Sequence, residues 1–285
     1  MNTSNYLLQA KSNHFFWQGD GQLSIKTFSN GKAYYKTTQG YFAVEESRYL
    51  LLNKGSYSIT IENDREVESF CLFFKDGFAE EVANTFDIAT DTLLSDPFKP
   101  VERIGFFEKT YDRNPVLSAQ ITYLKQKIPL LGKDPLWLDE QYYKIMQTVL
   151  HIHRKTVRDV HSIKALLPTT REEIYRRISI AHDFIRAFYD RPLKLSEIAR
   201  IACLSPNHLL RSYVDVFSKT PHQHITEFRL SRAKQLLGNP DYSLTDIAFA
   251  IGFQQLASFS KMFKIYTGIS PMQFRKKVIL EKKSN

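Results

Sequence analysis

The sequence predicts an α+β protein in which an antiparallel β-barrel is followed by helices and then by an all-helical domain. Three observations carry this. Residues 14–75 alternate apolar with polar side chains between frequent turn signals, the period of a pleated strand with one buried face. Residues 115–165 change to apolar steps of three and four, the period of an amphipathic helix. Finally, Leu195–Phe274 carries one pattern twice, which reads as two copies of a single supersecondary unit.

In the first segment Leu23/Ile25, Tyr57/Ile59/Ile61 and Leu72/Phe74 mark the alternation. Turn signals recur at Gly19-Asp20-Gly21, Ser29-Asn30-Gly31, Asn53-Lys54-Gly55, Glu62-Asn63-Asp64 and Lys75-Asp76-Gly77. Short strands punctuated about every 8–12 residues predict a small antiparallel sandwich or barrel, with Ile104–Thr110 as a candidate last strand. The aromatics Phe15, Phe16, Trp17, Tyr34, Tyr35, Tyr41 and Phe42 could stack on a small molecule or form the core of this β domain. Both readings stay open. His14 is the only histidine before residue 150. A converging set of imidazoles is therefore lacking, and neither a metal nor another cofactor is expected.

Pro115 opens a helix with Leu117, Ile121, Leu124 and Ile128 on one face, and Pro129 and Gly132 should end it. A second helix places Leu138, Tyr142, Ile145, Val149 and Ile152 at alternating steps of four and three. That seam could pair with its copy in another subunit, or pack on its own barrel. His151 and His153 lie two apart on this helix. They diverge by ~200° and cannot share a metal. Asp159–Pro168 reads as a junction. Thr169-x-x-Glu172 then forms a capping box, ahead of a helix carrying Ile174, Ile178, Ala181, Ile185 and Phe188 and ending near Asp190-Arg191-Pro192. The expected organisation is a β-rich domain over 1–113, a helical dimerisation or linker region over 114–168, and a tandem helix-turn-helix domain over 169–285.

In that last domain Leu195-Ser196-Glu197-Ile198-Ala199 returns 49 residues later as Leu244-Thr245-Asp246-Ile247-Ala248. Leu209-Leu210-Arg211-Ser212-Tyr213 returns as Phe259-Ser260-Lys261-Met262-Phe263, and Thr220-Pro221 as Ser270-Pro271, both 50 residues on. The slip puts one extra residue near the inter-helix turn of the second copy. Each copy is a short helix, a tight turn and a second helix, the order of a helix-turn-helix. The first buries Ile198, Ala199 and Ala202, turns at Cys203-Leu204, and restarts with Ser205 as N-cap and Pro206 at the first helical position. The second buries Ile247, Ala248 and Ile251, turns at Gly252-Phe253, and resumes through Leu256, Phe259 and Phe263. Pro221–Leu237 joins the copies with Ile225, Phe228, Leu230, Ala233, Leu236 and Leu237 inward, and Gly238-Asn239-Pro240 stops it.

Here the sequence resembles the AraC/XylS family of bacterial transcription regulators. The resemblance rests on Arg229-Leu230-x-x-Ala233-x-x-Leu236-Leu237, Ile247-Ala248-x-x-x-Gly252-Phe253, Phe259-x-Lys261-x-Phe263-Lys264 and Gly268-x-Ser270-Pro271, and covers about the last hundred residues. It implies a cupin-like barrel as effector domain, double-stranded DNA as partner, RNA polymerase as a further partner, a homodimer, and effector binding that alters promoter occupancy. With the core residues of each copy turned inward, Pro206, Asn207, Leu210 and Arg211 point outward in the first, and Gln255, Leu256, Ala257, Ser260 and Lys261 in the second. The family's base-contacting positions fall on Asn207, Leu210 and Arg211, then on Leu256, Ala257, Ser260 and Lys261.

Arg211 can fork onto guanine O6 and N7, and Asn207 onto adenine N6 and N7. Leu256 and Ala257 suit thymine methyls, and Lys261 reaches guanine or a phosphate. The first copy should therefore discriminate bases more sharply. A phosphate clamp or a surface salt bridge is the other reading of Arg211. Ser243-x-x-Asp246 caps the second copy's first helix, but Lys194 stands at the matching position of the first. Lysine caps poorly, leaving free N–H groups beside a cation for a phosphate or for water. Two departures from the repeat are Cys203 opposite Gly252 and Ser218 opposite Gly268.

Composition agrees with a polyanion partner. Net charge is +9, and residues 171–285 hold 19 Lys/Arg against 10 Asp/Glu whereas residues 1–170 hold 20 of each. All the basic excess lies with the duplicated unit. Cys71 and Cys203 have neither disulfide nor metal-ligand spacing. The N-terminus lacks a signal-peptide pattern and no run approaches the ~18 apolar residues of a spanning helix, so a cytoplasmic protein free of membranes is expected. Clustered catalytic His, carboxylate or nucleophile motifs are also lacking, so no catalytic residue is assigned. A barrel enzyme tethered to DNA is the weaker alternative, as is a β domain that meets only a protein partner.

Overall fold

A computed structural model of the chain describes residues 4–87, 103–132, 134–163 and 170–283. The chain separates into two compact units, 1–183 and 184–285. The division falls inside a helix, rather than at the expected junction near residue 168.

The first unit runs β1 (Tyr6–Gly21), β2 (Ser24–Ser29), β3 (Lys32–Thr37), β4 (Tyr41–Glu45), β5 (Arg48–Leu52), β6 (Gly55–Phe73), α1 (Phe78–Asp87), β7 (Lys109–Asp112), α2 (Pro115–Leu131), α3 (Pro135–His161) and the start of α4 (Arg171–Phe188). The strands form one antiparallel sheet in the order β4-β3-β6-β2-β5-β7, with β1 on β6. Strand β4 comes back beside β5 and β7. The sheet is thus a nearly closed antiparallel barrel, as its alternation predicts.

Both faces of the sheet are buried. Phe28, Leu50, Leu52, Val67, Cys71 and Phe73 turn inward. Their strand neighbours Ile25, Tyr49, Leu51, Phe70 and Leu72 turn outward under α1, α2 and α3. Each large side chain so enclosed contributes roughly 1.5–3 kcal/mol.

The strands are not uniformly short. β1 has 16 residues and β6 has 19. The turn signal Glu62-Asn63-Asp64 lies within β6, because its residues are absorbed as a bulge. Ser12 pairs with Val67 while His14 pairs with Glu62, so residues 63–66 stand opposite Asn13 alone. The Asn63 side chain donates to the Lys32 carbonyl at 2.9 Å instead of closing a turn. The last strand begins later than expected. Asn53 takes up both backbone groups of Phe106 through its side chain, at 2.9 and 3.1 Å, so pairing with β5 starts only at Lys109.

Several expectations are corrected here. Tyr142, Ile145 and Val149 are buried in the cluster between α3 and the barrel, and Leu138 and Ile152 are partly buried against it. Of the two packings open to this seam, the structure puts Tyr142, Ile145 and Val149 in the internal one. Pro129 lies inside the last turn of α2, which closes through the Gly132 N–H on Ile128 O. Helix α3 continues to His161, inside the expected junction. Thr169 of the expected capping box lies outside the described residues; Glu172 meets His161 Nε2 at 3.0 Å. Tyr35 and Phe42 are core, but Phe15, Phe16 and Trp17 are 46%, 65% and 37% exposed. They sit on β1, which pairs on one side only.

Helix α4 is held at its middle by a buried polar chain. Arg48 Nε donates to Thr110 Oγ1 at 3.0 Å, that hydroxyl donates to Asp183, and the Thr110 N–H donates to the same carboxylate at 3.0 Å. Asp183 is 1% exposed. Removing it strands a buried N–H, so Asp183→Ala should cost about 1–3 kcal/mol in urea melts.

The second unit contains the end of α4, then α5 (Leu195–Ile201), α6 (Pro206–Phe217), α7 (Pro221–Leu237), α8 (Leu244–Ala250), α9 (Leu256–Thr267) and α10 (Pro271–Lys283). Leu230, Ala233 and Leu237 of α7 share a core with Ile247, Ala248, Ile251, Phe259 and Phe263. Ile225 is buried as expected, whereas Phe228 and Leu236 are half-buried.

Candidate nucleic-acid interface

The two copies are built by the same local bonds. In the first, the Leu204 N–H reaches back to Ala199 O at 2.9 Å; in the second, Phe253 N–H reaches Ala248 O at 2.9 Å. Both close a helix across a left-handed residue, the Schellman arrangement. Cys203 supplies it at φ 53 and Gly252 at φ 85. Helices α6 and α9 also end on a left-handed residue, Ser218 at φ 55 and Gly268 at φ 80, through the cap N–H on Val214 O and on Lys264 O. Thr220 then caps α7 with Gln223, and Ser270 pairs in the same reciprocal way with Gln273.

The departures Cys203 and Ser218 therefore preserve the turn at a conformational cost. Space explains which glycine is obligatory. A Cβ at Gly252 would lie 2.4 Å from the Asp190 carbonyl oxygen, whereas Gly268 has open space around it and Cys203 is exposed. Around Gly252, Arg229 donates to Tyr189 O at 2.7 Å and to Arg191 O at 3.0 Å. Its guanidinium stands 5.4 Å from the Phe253 ring centre. One arginine of α7 thus caps the end of α4 and backs the turn of the second copy.

The inward residues are buried as the pattern requires: Ile198, Ala199, Ala202, Leu209 and Tyr213 in one copy, Ile247, Ala248, Ile251, Phe259 and Phe263 in the other. Pro206, Asn207, Leu210 and Arg211 are exposed, as are Gln255, Leu256, Ala257 and Lys261; Ser260 is half-buried. Among the described residues neither Arg211 nor Lys261 has a carboxylate partner. Lys194 is exposed and makes no side-chain cap bond, while Ser243 caps α8 through Asp246 at 3.0 Å. Gln255 is the N-cap of α9 and likewise makes no cap bond. His208, Ser258 and Lys264 are also exposed on α6 and α9. The sequence reading assigned none of the three an outward role, although Lys264 stands in the resemblance motif; the helical positions left over once the core is removed would have found them.

Also missed was His224, buried on α7. Its Nδ1 lies 2.8 Å from the Tyr213 hydroxyl, Nε2 lies 3.9 Å from Glu227, and its ring meets Tyr213, Phe217 and Phe228. This box fastens α6 to α7. Burial pushes the His224 pKa below its ordinary 6.5.

Residues 198–277 match the family model of a helix-turn-helix domain. Over 93 residues the chain is 34% identical to the melibiose operon regulatory protein of Escherichia coli (strain K12), covering 33% of this chain and 31% of that protein. It is 33% identical over 94 residues to the Msm operon regulatory protein of Streptococcus mutans serotype c, covering 33% of this chain and 34% of that protein. Each match spans about a third of the relative's length. Among solved structures, a transcriptional regulator with an AraC-type DNA-binding domain from Chromobacterium violaceum is 27% identical, covering 36% of this chain and 93% of that one, with a TM-score of 0.35.

Two outcomes follow from this geometry. Cys203→Gly and Ser218→Gly should each gain about 1 kcal/mol by relieving left-handed strain, whereas Gly252→Ala should cost more than either gains; thermal melts check both signs. A histidine whose folded pKa is depressed gives stability that is full above its unfolded pKa and lost as pH falls below it. The melting temperature should therefore drop between pH 7.5 and 5.5, and the drop should be smaller in His224→Gln. His153, pushed down by burial as well, keeps the remainder of the slope.

Proposed function

We propose that the chain is a sequence-specific DNA-binding transcriptional regulator of the AraC type, a reading supported by the match of residues 198–277 to a helix-turn-helix domain. In this reading α6 and α9 enter successive major grooves about one helical turn, near 34 Å, apart. The observation that carries it is the sorting of side chains: Asn207, Arg211 and Lys261 are exposed and, among the described residues, without a side-chain partner, over cores that are closed. The basic excess of residues 171–285 supports a phosphate-backbone partner.

Asn207 and Arg211 would read base edges, Leu210, Leu256 and Ala257 would make apolar contacts, and Lys194 and Lys261 would hold phosphates. Pro206, Gln255, Ser260 and Ser243 would line the same approach. The β-barrel unit would sense a small molecule, pair with a second copy, or both, and RNA polymerase would be the downstream partner. The chain would work as a binding protein and not as an enzyme. A second reading, in which the barrel meets a protein partner, has one observation in its favour: the exposed aromatics Phe15, Phe16 and Trp17 on β1.

Binding-site selection with the full chain tests the first reading. Wild type should enrich a split site. Arg211→Ala should lose preference at one position by about 1–3 kcal/mol of discrimination while keeping most of its affinity for mixed sequence. Affinity should fall steeply with salt as counterions are released. An unchanged base preference in the variant would reject the role of Arg211, and a flat salt response would reject DNA binding by this face.

A further inference from the structure

Helix α2 carries two neighbouring rows of side chains toward the outside of the barrel. Leu117, Ile121 and Leu124 form one row and are buried. Ser118, Thr122 and Lys125 form the other, at steps of four and three, so they share a face beside it. A helix seated on a sheet by apolar packing alone would be hydrophobic along both. Here the second row borders a pocket of about 80 Å³ instead. Thr27 and Ser29 of β2 enter its wall from the sheet, and Arg113, one residue past β7, borders it as well.

The partners of these side chains decide what the pocket can hold. The Thr27 hydroxyl donates to Phe70 O at 2.7 Å, and that of Ser29 reaches Glu68 at 3.5 Å. Among the described residues Ser118 and Thr122 make no side-chain hydrogen bond, and Arg113 and Lys125 have no carboxylate partner. The Lys125 ammonium lies 4.9 Å from the Phe70 ring centre. Arg48, the third cation of the wall, is matched by Asp112. No acidic side chain is among the described residues that line the pocket.

The larger cleft of this unit, about 820 Å³, is different. It sets Asp20, Asp76 and Glu80 against Lys54, Lys75 and Arg103 and so favours neither sign. Nor does the start of α2 account for the small pocket. The Asn114 side chain already accepts the Val116 and Leu117 N–H groups, at 3.0 and 3.1 Å. What remains is two unmatched cations and two unmatched hydroxyls around one small volume. That volume exceeds the roughly 10–15 Å³ that one water needs, and falls well short of the roughly 300–1,000 Å³ of a site for a drug-sized molecule. A carboxylate would neutralise one of the two cations and leave the other. A dianion matches both, and a guanidinium fork with hydroxyl donors suits oxygens set on several sides.

We infer that this pocket between α2 and β2 holds a phosphoryl group, as free phosphate or as the head of a small phosphorylated molecule. Arg113 and Lys125 share its charge, and Ser118 and Thr122 donate to its oxygens. The site lies within the first unit and calls on no part of the DNA reading.

Thermal melting of the full chain tests it, at pH 8 in potassium phosphate, acetate or chloride of equal ionic strength. Phosphate also stabilises folded proteins by exclusion from their surface. The readout is therefore the excess shift of wild type over the double variant Arg113→Gln/Lys125→Gln. Phosphate should give wild type an excess of a few degrees that saturates with concentration, and acetate should give none. In chloride the double variant should melt with wild type, since neither side chain has an acid to lose. Thr122→Val keeps both charges and the side-chain shape, and should lose part of the excess. Equal phosphate shifts in wild type and double variant, an equal excess with acetate, a full excess in Thr122→Val, or early melting of the double variant in chloride would each overturn the assignment. Glycerol phosphate beside free phosphate separates the two sources. An equal or larger excess with the ester assigns the pocket to a phosphorylated molecule, and no excess with it assigns the pocket to the free ion.

Discussion

Helix α7 is the constraint on which the helix-turn-helix half of the molecule depends. One end is locked to the first copy by the His224 box with Tyr213 and Phe217. The other end contributes Leu230, Ala233 and Leu237 to the core of the second. Between them Arg229 fixes the end of α4 and the turn at Gly252. Two motifs that could swing independently on a loop are instead joined by one continuous helix packed on both. On the proposed function, a recognition surface divided between α6 and α9 would be useful only if that distance is held, since misplacing either helix would forfeit its base contacts.

The two copies have diverged where backbone geometry allowed it. Both need a left-handed residue at the inter-helix turn and another after the second helix. Glycine is forced only where the Asp190 carbonyl approaches, in the second copy. The first copy turns its matching residue to solvent and tolerates Cys203. Capping has diverged in the opposite sense: α8 has its Ser243 cap while α5 has Lys194 and no side-chain bond. The copy with the weaker cap and the strained turns is also the one carrying Asn207 and Arg211.

The helical half was legible in the sequence because its signals are local. The repeat at 49 and 50 residues, the Ser205-Pro206 start and the inward apolar positions each depend on residues within one or two turns. The β half was legible only as a class. Glu62-Asn63-Asp64 is a turn signal by composition, yet strand pairing with β1 absorbs it as a bulge, and pairing over about 50 residues of sequence is not a local property. The α3 seam has the spacing of a coiled coil, but the same spacing fits a barrel wall, and only the three-dimensional packing separates them. The burial of Lys26 was invisible for a similar reason: a lysine between Ile25 and Thr27 reads as the solvent side of a strand until both faces of the sheet are found covered.

Hydroxyl-radical footprinting of the full chain on a site recovered by selection tests the strut most directly. Two helices held on one support should leave two protected windows on one face of the duplex, about one helical turn (10–10.5 base pairs) apart. A single window, or two windows half a turn out of phase, would show that α7 does not set the spacing and would contradict the account.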